Sequence, residues 1–311
     1  MDNLVKVMDG KPLEKLIEVV SNAIGTLYEP RQIVRKAKAE AKAESIIAIE
    51  QAKTQAIIDG DLEKVQYLER INNRIVNKEV KRQNNIEEVV STAGKILESE
   101  EKVSEEPLNL DWTTRFFNIV QDVSDNEMQL LWGQILAGEI KQPQSYSLRT
   151  LELLRNMTKD DAELFQKVAQ LTLVCGDAFL YTPNNDLRKF GIDYMDIAKL
   201  IEIGLLRPGD FVQRHLFSQK LTDTKTAFIY GDVVVIVNIK ANSKKISFPI
   251  RSFTTSGQEL CQLIDISPNM DYIKEFADAI KNMNVKVTYS HIVSIDKDGV
   301  IHYKTPEIEI K

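Results

Sequence analysis

The sequence predicts an α+β protein that is mainly α-helical: a long antiparallel helical hairpin, a helical middle region, a winged-helix-like α/β module and a small C-terminal α/β unit. The first observation behind this prediction is the stretch from Arg31 to Glu101, which is rich in the strong helix formers Ala, Lys, Glu and Gln. The second is a group of β-branched runs after residue 226, and the third is apolar alternation towards the C-terminus. We therefore expect five segments, with the bounds 1–30, 31–106, 107–185, 186–265 and 266–311.

Composition limits the classes of function before any motif is considered. The chain has 43% hydrophobic and 28% charged residues and a net charge of −6, which is typical of a soluble globular protein rather than of one coated in nucleic acid. No run of about 18 uncharged apolar residues occurs, and residues 1–11 lack the apolar core of a secretory signal. Cys175 and Cys261 are far apart in apolar helical contexts, which favours free thiols and a cytoplasmic location.

The N-terminal helix is predicted from apolar residues at spacings of three and four, which share one helix face. This face is a candidate surface for self-association, and its residues are Leu16, Ile17, Val20, Ile24 and Leu27. A second interpretation is a membrane-active helix at the inner face of the membrane, because basic residues that could meet anionic lipid heads follow it. They are Arg31, Arg35, Lys36, Lys38 and Lys42.

The helical hairpin is predicted to turn at Asp59-Gly60-Asp61, between two arms that lack proline. At 1.5 Å per residue, the first arm alone would be on the order of 40 Å long. Its apolar residues are sparse, so the hairpin is marginal by itself and we expect neighbouring copies or the rest of the chain to cover it. We expect the acidic stretch 98–107 to be a linker.

The middle region carries the most specific string of the sequence, WGQILAGE over residues 132–139. Gly133 and Ala137 are four residues apart on one helix face beside Trp132, so another helix could approach closely there. Packing inside the chain is the simpler interpretation, and contact with a partner is the alternative. Capping boxes are predicted at Ser124–Glu127 and Thr158–Asp161.

The winged-helix-like module is predicted from the order helix, β-hairpin, strand, helix. The helix ends at Gly204, the hairpin turns at Gly231-Asp232, and a third strand covers 245–250. This segment is basic, so a DNA-binding regulator is a further hypothesis beside protein packing. Its candidate nucleic-acid contacts are Lys244, Lys245 and Arg251.

The C-terminal unit is predicted as a helix followed by a β-hairpin that turns at 296–299. In the first strand Val285, Val287, Tyr289, His291, Val293 and Ile295 should form the buried face. His291 and His302 could meet across this hairpin, but a third ligand is missing, so we expect no metal site. The sequence contains no phosphate loop, nucleophile elbow or zinc-protease motif, and we expect no catalytic residues, cofactor or small-molecule substrate.

Four strings together resemble an uncharacterised bacterial family of proteins of unknown function. They are IGTLYEP at 24–30, the Ala/Glu-rich arm that begins RKA at 35–37, the 132–139 box and SLRTL at 147–151. That family is similar, more distantly, to the abortive-infection alpha proteins, so the resemblance implies a role in phage defence or stress response. The hypothesis is a non-enzymatic interaction protein that forms a homo-oligomer and binds an unknown protein partner.

Overall fold

The structure, a computed structural model, describes residues 11–24, 43–183, 186–209, 212–283, 285–296 and 298–310. It confirms the predicted α+β class, with more helix than strand among these residues. The chain divides into two compact units, 1–151 and 152–311. None of the described helices is both long and apolar enough to cross a membrane.

Unit 1 is helical in its described part. Its helices are α1 (Lys11–Ile24), α2 (Ala43–Ile58), α3 (Leu62–Leu97), α4 (Leu110–Val120), α5 (Asn126–Lys141) and α6 (Leu148–Arg155), the last of which runs past residue 151. The predicted hairpin is formed by α2 and α3, which an ion pair of 2.8 Å between Lys53 and Glu69 links across the two arms. The turn is at Gly60 with a φ of 73°, and Asp61 caps α3 by accepting the Lys64 N–H. Residues 31–42 of the predicted first arm lie outside the described residues.

The core of unit 1 forms around the C-terminal half of α3. Ile86, Val89, Val90, Ala93 and Leu97 are buried at spacings of three and four, as one face of a helix. The aromatic rings of α4 and α5 join this core, with Phe116 edge-to-face against Trp132 at a centroid distance of 5.4 Å. Burying side chains of this size contributes about 1.5–3 kcal/mol each, so this half of the hairpin is held by tertiary contacts.

One local prediction for unit 1 needs correction, and the stretch expected to be a linker makes contacts that the sequence did not indicate. The stretch 98–107 lies within unit 1, where Lys15 Nζ donates to the carbonyls of Ser104 and Glu106 at 2.6 and 2.7 Å and ties this stretch to α1. The cap of α5 is Asp125 instead of Ser124, because the Asp125 carboxylate accepts the N–H groups of Glu127 and Met128. The Ser124 hydroxyl accepts instead from Asn85 Nδ2.

Unit 2 combines an antiparallel sheet with short helices. The helices are α7 (Lys159–Ala169), α8 (Tyr194–Ile203), α9 (Thr255–Cys261) and α10 (Met270–Ile280), with 3-10 turns at Arg188–Phe190 and Lys281–Met283. The strands are β1 (Thr172–Cys175), β2 (Asp177–Tyr181), β3 (Gln213–Leu216), β4 (Thr224–Tyr230), β5 (Val233–Ile239), β6 (Ile246–Ser252), β7 (Val285–Ile295), β8 (Ile301–Tyr303) and β9 (Ile308–Glu309). The capping box at Thr158–Asp161 and the left-handed cap at Gly204 are confirmed.

The strand pairing differs from that of a separate winged-helix-like module. The sheet has nine strands in the described part of the chain, in the order β3-β6-β2-β1-β4-β5-β7-β8, with β9 also on β7. The β4–β5 hairpin is present as predicted, but β6 pairs with β2 and β3, and β5 pairs with β7. The strands of segments 186–265 and 266–311 therefore belong to one sheet. A two-stranded hairpin by itself leaves the backbone groups at both of its edges without partners, and neighbouring strands supply those partners here. Cys175 ends β1 instead of lying in a helix.

The buried face of β7 is also different from the prediction. Thr288 and Ser290 are buried, whereas Val293 is 64% exposed. Thr288 Oγ1 donates to the Glu307 carboxylate at 2.6 Å, and Ser290 Oγ donates to the carbonyl of Lys304. The C-terminal residues that follow β8 thus supply partners for the polar residues of β7, which alternation alone could not indicate.

Candidate interaction surface

The box at 132–139 is explained by packing within unit 1. A Cβ placed on Gly133 would lie 2.5 Å from Thr92 Cβ and 3.0 Å from the backbone oxygen of Val89, so only glycine lets α5 approach α3 this closely. Trp132 and Ala137 are fully buried. The close helix approach predicted from Gly133 occurs, and the second helix belongs to the same chain.

The end of the box positions the loop that follows α5. The two carboxylate oxygens of Glu139 accept the N–H groups of Gln144 and Tyr146 at 2.7 and 3.0 Å. The Tyr146 carbonyl in turn accepts Trp112 Nε1–H at 2.7 Å, and a Cβ on Gly138 would lie 2.8 Å from the Tyr146 ring. Glu139 therefore holds backbone groups of its own chain.

Some of the predicted contact residues of α1 are buried within unit 1. Leu16 and Val20 are buried, whereas Ile17 and Ile24 are half-buried. Leu27 lies outside the described residues. The apolar face of α1 packs on the neighbouring helices of unit 1, and self-association through its half-buried residues stays a prediction.

The candidate nucleic-acid residues are divided between surface and interior. Lys244 and Lys245 are exposed in the turn before β6. Arg251 is buried on β6, where its Nη1 donates to the carbonyl of Gly209 at 3.2 Å. A buried guanidinium with internal partners is unsuited to contacting a phosphate backbone, so the three residues do not form one basic surface.

The part of the hairpin nearest the turn is the least buried helical region of unit 1. Six apolar residues of α3 are only half-buried there, in contrast to the buried face further along the same helix. We call these residues the hairpin seam: Val65, Leu68, Ile71, Ile75, Val76 and Val80. On the described part of α2, only Ala56 among the side chains is buried. The seam is thus incompletely covered by its own hairpin.

The turn itself carries aliphatic side chains in contact with solvent. Ile57 is 59% exposed, and Ile58 and Leu62 are each 73% exposed. Three large apolar side chains are thus exposed around one turn, and exposed apolar patches on a protein surface commonly mark an interaction site. The Asn72 side-chain oxygen, further along α3, is buried without a hydrogen-bond partner among the described residues. Polar residues in the apolar seams of helical assemblies often specify register.

Charge is distributed unevenly along the hairpin. Three acidic residues lie at the turn, and we call Asp59, Asp61 and Glu63 the acidic tip. Four exposed basic residues lie about two to five helical turns further along α3, and we call Arg70, Arg74, Lys78 and Lys81 the basic stripe. The sequence interpretation missed this stripe, although its spacing of four residues is a signal that a scan of the helix for basic residues would find.

Several ionisable side chains of unit 2 lie in pairs. A cleft of about 330 Å³ in unit 2 is lined by Asp186, Arg188, Tyr194 and Arg251, among others. Hydrogen bonds from Arg188 lower the pKa of Asp186 to about 2, so this carboxylate stays ionised and paired. His291 lies 3.3 Å from Asp232, and His302 lies 3.7 Å from Asp296. No three His, Cys, Asp or Glu residues in the described ranges come together as metal ligands.

Comparison with known families gives one result. A family model described as "Protein of unknown function (DUF2806)" matches residues 69–277, two thirds of the chain. This range begins within α3 and ends within α10. Neither the curated proteins nor the solved structures contain a match to the chain.

Proposed function

We propose that this chain, which belongs to the DUF2806 family of proteins of unknown function, is a non-enzymatic interaction protein whose helical hairpin binds the hairpin of a second copy. The observation that carries this proposal is the half-buried seam on α3 beside the exposed aliphatic residues of the turn. A second hairpin would remove both from water.

The two halves of α3 differ in the burial of their apolar residues. From Ile86 onward, apolar residues are buried by α1, α4 and α5. From Leu62 to Val80, α2 is the main neighbour and leaves the seam half-exposed. Completing the burial of a half-buried aliphatic side chain contributes about 1 kcal/mol. With six seam residues and three exposed turn residues in each of two copies, complete burial would contribute on the order of 20 kcal/mol before costs. A micromolar dimer requires about 8 kcal/mol net after an association cost of about 4–15 kcal/mol, so the apolar surface is of the right size.

Sedimentation velocity over a micromolar concentration range tests the proposal. We expect the unmodified chain to dimerise and the variant Ile58→Ser/Leu62→Ser to dimerise at least about tenfold more weakly, since both side chains are exposed and their loss leaves the fold intact. The matched control is Leu221→Ser, because Leu221 in unit 2 is 93% exposed and should not affect association. A monomer at all concentrations would contradict the proposal.

The alternatives are less well supported. A membrane-active α1 would first have to withdraw Leu13, Leu16 and Val20 from the core, and a DNA-binding role loses Arg251 as a contact. We propose a cytoplasmic location, supported by the free thiols of Cys175 and Cys261.

The cellular context that we propose is phage defence or stress response, on the resemblance to the abortive-infection alpha proteins. Its test is a plaque assay with and without the gene, in which the Ile58→Ser/Leu62→Ser variant should lose protection together with self-association. Equal plaque numbers with and without the unmodified gene, over a broad panel of phages, would count against this context.

A further inference from the structure

We infer that the two hairpins pair in antiparallel orientation, so that the acidic tip of each copy lies on the basic stripe of the other. This inference rests on the proposed self-association and adds the orientation and the charged groups that select it. The occupant of the basic stripe is therefore a second copy of this chain.

The basic stripe has no ion-pair partner among the described residues of its own copy. Arg70, Arg74 and Lys78 follow one another at intervals of four residues, so they lie along one side of α3, and each is exposed. Other basic residues of the hairpin are paired: Lys53 with Glu69 at 2.8 Å and Arg82 with Asp122 at 2.7 Å. Within the described part of the chain, no ion pair involves a residue of the stripe.

The acidic tip likewise forms no ion pair among the described residues, although the exposed Lys64 follows Glu63. Asp59 accepts a hydrogen bond from Gln55 Nε2, and Asp61 accepts the Lys64 N–H as the helix cap. These donors are uncharged amides, and no ion pair to the tip occurs among the described residues. Among the described residues, therefore, neither the acidic tip nor the basic stripe has an ion-pair partner in its own copy.

The two patches of one copy lie apart along α3. Their nearest members, Glu63 and Arg70, are seven residues apart, about 10 Å along a helix, and Asp61 and Arg74 are 13 residues apart, about 20 Å. Because the Debye length is about 8–10 Å at ordinary ionic strength, salt screens the attraction between the two patches of one copy. Their charges are available to a second copy.

Orientation then follows from the sign of the charges. In a parallel pair of hairpins, tip lies beside tip and stripe beside stripe, so every contact is repulsive. In an antiparallel pair, each tip faces a stripe, and the two-fold symmetry supplies this contact twice.

Charge reversal tests the orientation. The tip variant is Asp59→Lys/Glu63→Lys, which spares the cap at Asp61, and the stripe variant is Arg70→Glu/Arg74→Glu. Each exposed ion pair changes affinity about twofold, and reversal replaces attraction by repulsion at several contacts. At low salt we expect each variant to dimerise at least about tenfold more weakly than the unmodified chain. The variant that combines all four reversals should recover to within about threefold of it.

The outcomes separate this inference from the proposal on which it depends. If the unmodified chain is monomeric, both fail. If the chain dimerises and neither reversal matters, as a parallel pair predicts, only the antiparallel orientation is overturned. Reduced binding of duplex DNA by the stripe variant, with dimerisation unchanged, would assign the stripe to nucleic acid and overturn the inference as well.

A cross-linking measurement keeps the inference testable if a charge variant misfolds. In a Cys175→Ser background, Glu63→Cys and Arg74→Cys are made in separate chains and mixed under mild oxidation. Antiparallel pairing predicts a disulfide-linked dimer in the mixture, at a yield well above that of either variant alone. Equal yields in the mixture and in the separate samples would contradict it.

Discussion

Gly133 of α5 lies against Thr92 of α3 so closely that a Cβ at this glycine would stand 2.5 Å from the Thr92 Cβ. The backbone oxygen of Val89 is 3.0 Å from the same position, so side-chain movement alone cannot make room. This contact joins the box at 132–139 to the buried half of the hairpin.

Gly133→Ala should therefore destabilise the protein by about 1–3 kcal/mol, because it overpacks the contact between α3 and α5. The matched control is Gly94→Ala on α3, where the new Cβ would lie 3.7 Å from Leu16 Cδ2, an ordinary contact distance. That substitution should stabilise the helix by about 0.5–1 kcal/mol. Urea unfolding measures both, and a loss of equal size at the two glycines would refute the close-approach argument.

Glu139→Ala should cost about 2–3 kcal/mol, since it leaves the buried Tyr146 N–H without its charged acceptor and the Gln144 N–H without its partner. Glu139→Gln keeps one acceptor oxygen and should cost less. The midpoint temperatures of thermal unfolding give the order of stability of the unmodified chain, the glutamine variant and the alanine variant. Identical melting of the glutamine and alanine variants would show that the carboxylate does not hold the loop.

Thr288→Val should change the pH dependence of stability. The hydrogen bond from Thr288 is the main cause that lowers the pKa of Glu307; partial burial acts in the opposite direction, and the hydrogen bond from Lys225 lowers this pKa further. A lowered pKa in the folded state stabilises the protein above the unfolded value of about 4.3, and this contribution is lost as the pH falls through the folded value.

The valine variant should therefore be less stable than the unmodified chain at pH 7, with a smaller difference at pH 3. Thr288→Ser, which keeps the hydroxyl, is the control. NMR titration should show the pKa of Glu307 rising in the valine variant only. A loss of stability that is the same at both pH values would mean that packing, instead of this hydrogen bond, explains the effect.

Cys261 should resist alkylation in the folded protein. Burial raises the pKa of this thiol to about 12, although a hydrogen bond with Thr172 acts in the opposite direction. The reactive thiolate is therefore almost absent at pH 8. In a Cys175→Ser variant, iodoacetamide should label Cys261 only after unfolding, as mass spectrometry can follow. Rapid labelling without denaturant would indicate that α9 opens readily.

The sequence alone was sufficient for features that depend on neighbouring residues. The hairpin turn at Gly60, the box at Thr158 and the cap at Gly204 could be predicted because the interacting groups are a few residues apart. The α+β class followed from helical and strand periodicity in the same way. The seam could also be recognised as narrow, since its apolar residues are few.

Tertiary structure alone decided which surfaces meet. The face of β7 that is buried depends on Glu307 and Lys304 beyond the next strand, and the stretch 98–107 is held by Lys15 nearly 90 residues earlier. The pairing of β6 with β2 and of β5 with β7 is likewise a choice between strands of similar composition. Periodicity indicates that a helix or strand has an apolar face, but long-range packing determines what covers that face. For that reason residues first assigned to self-association, such as Trp132 and Leu16, lie in the core, while the seam of the hairpin is half-buried and its turn is exposed.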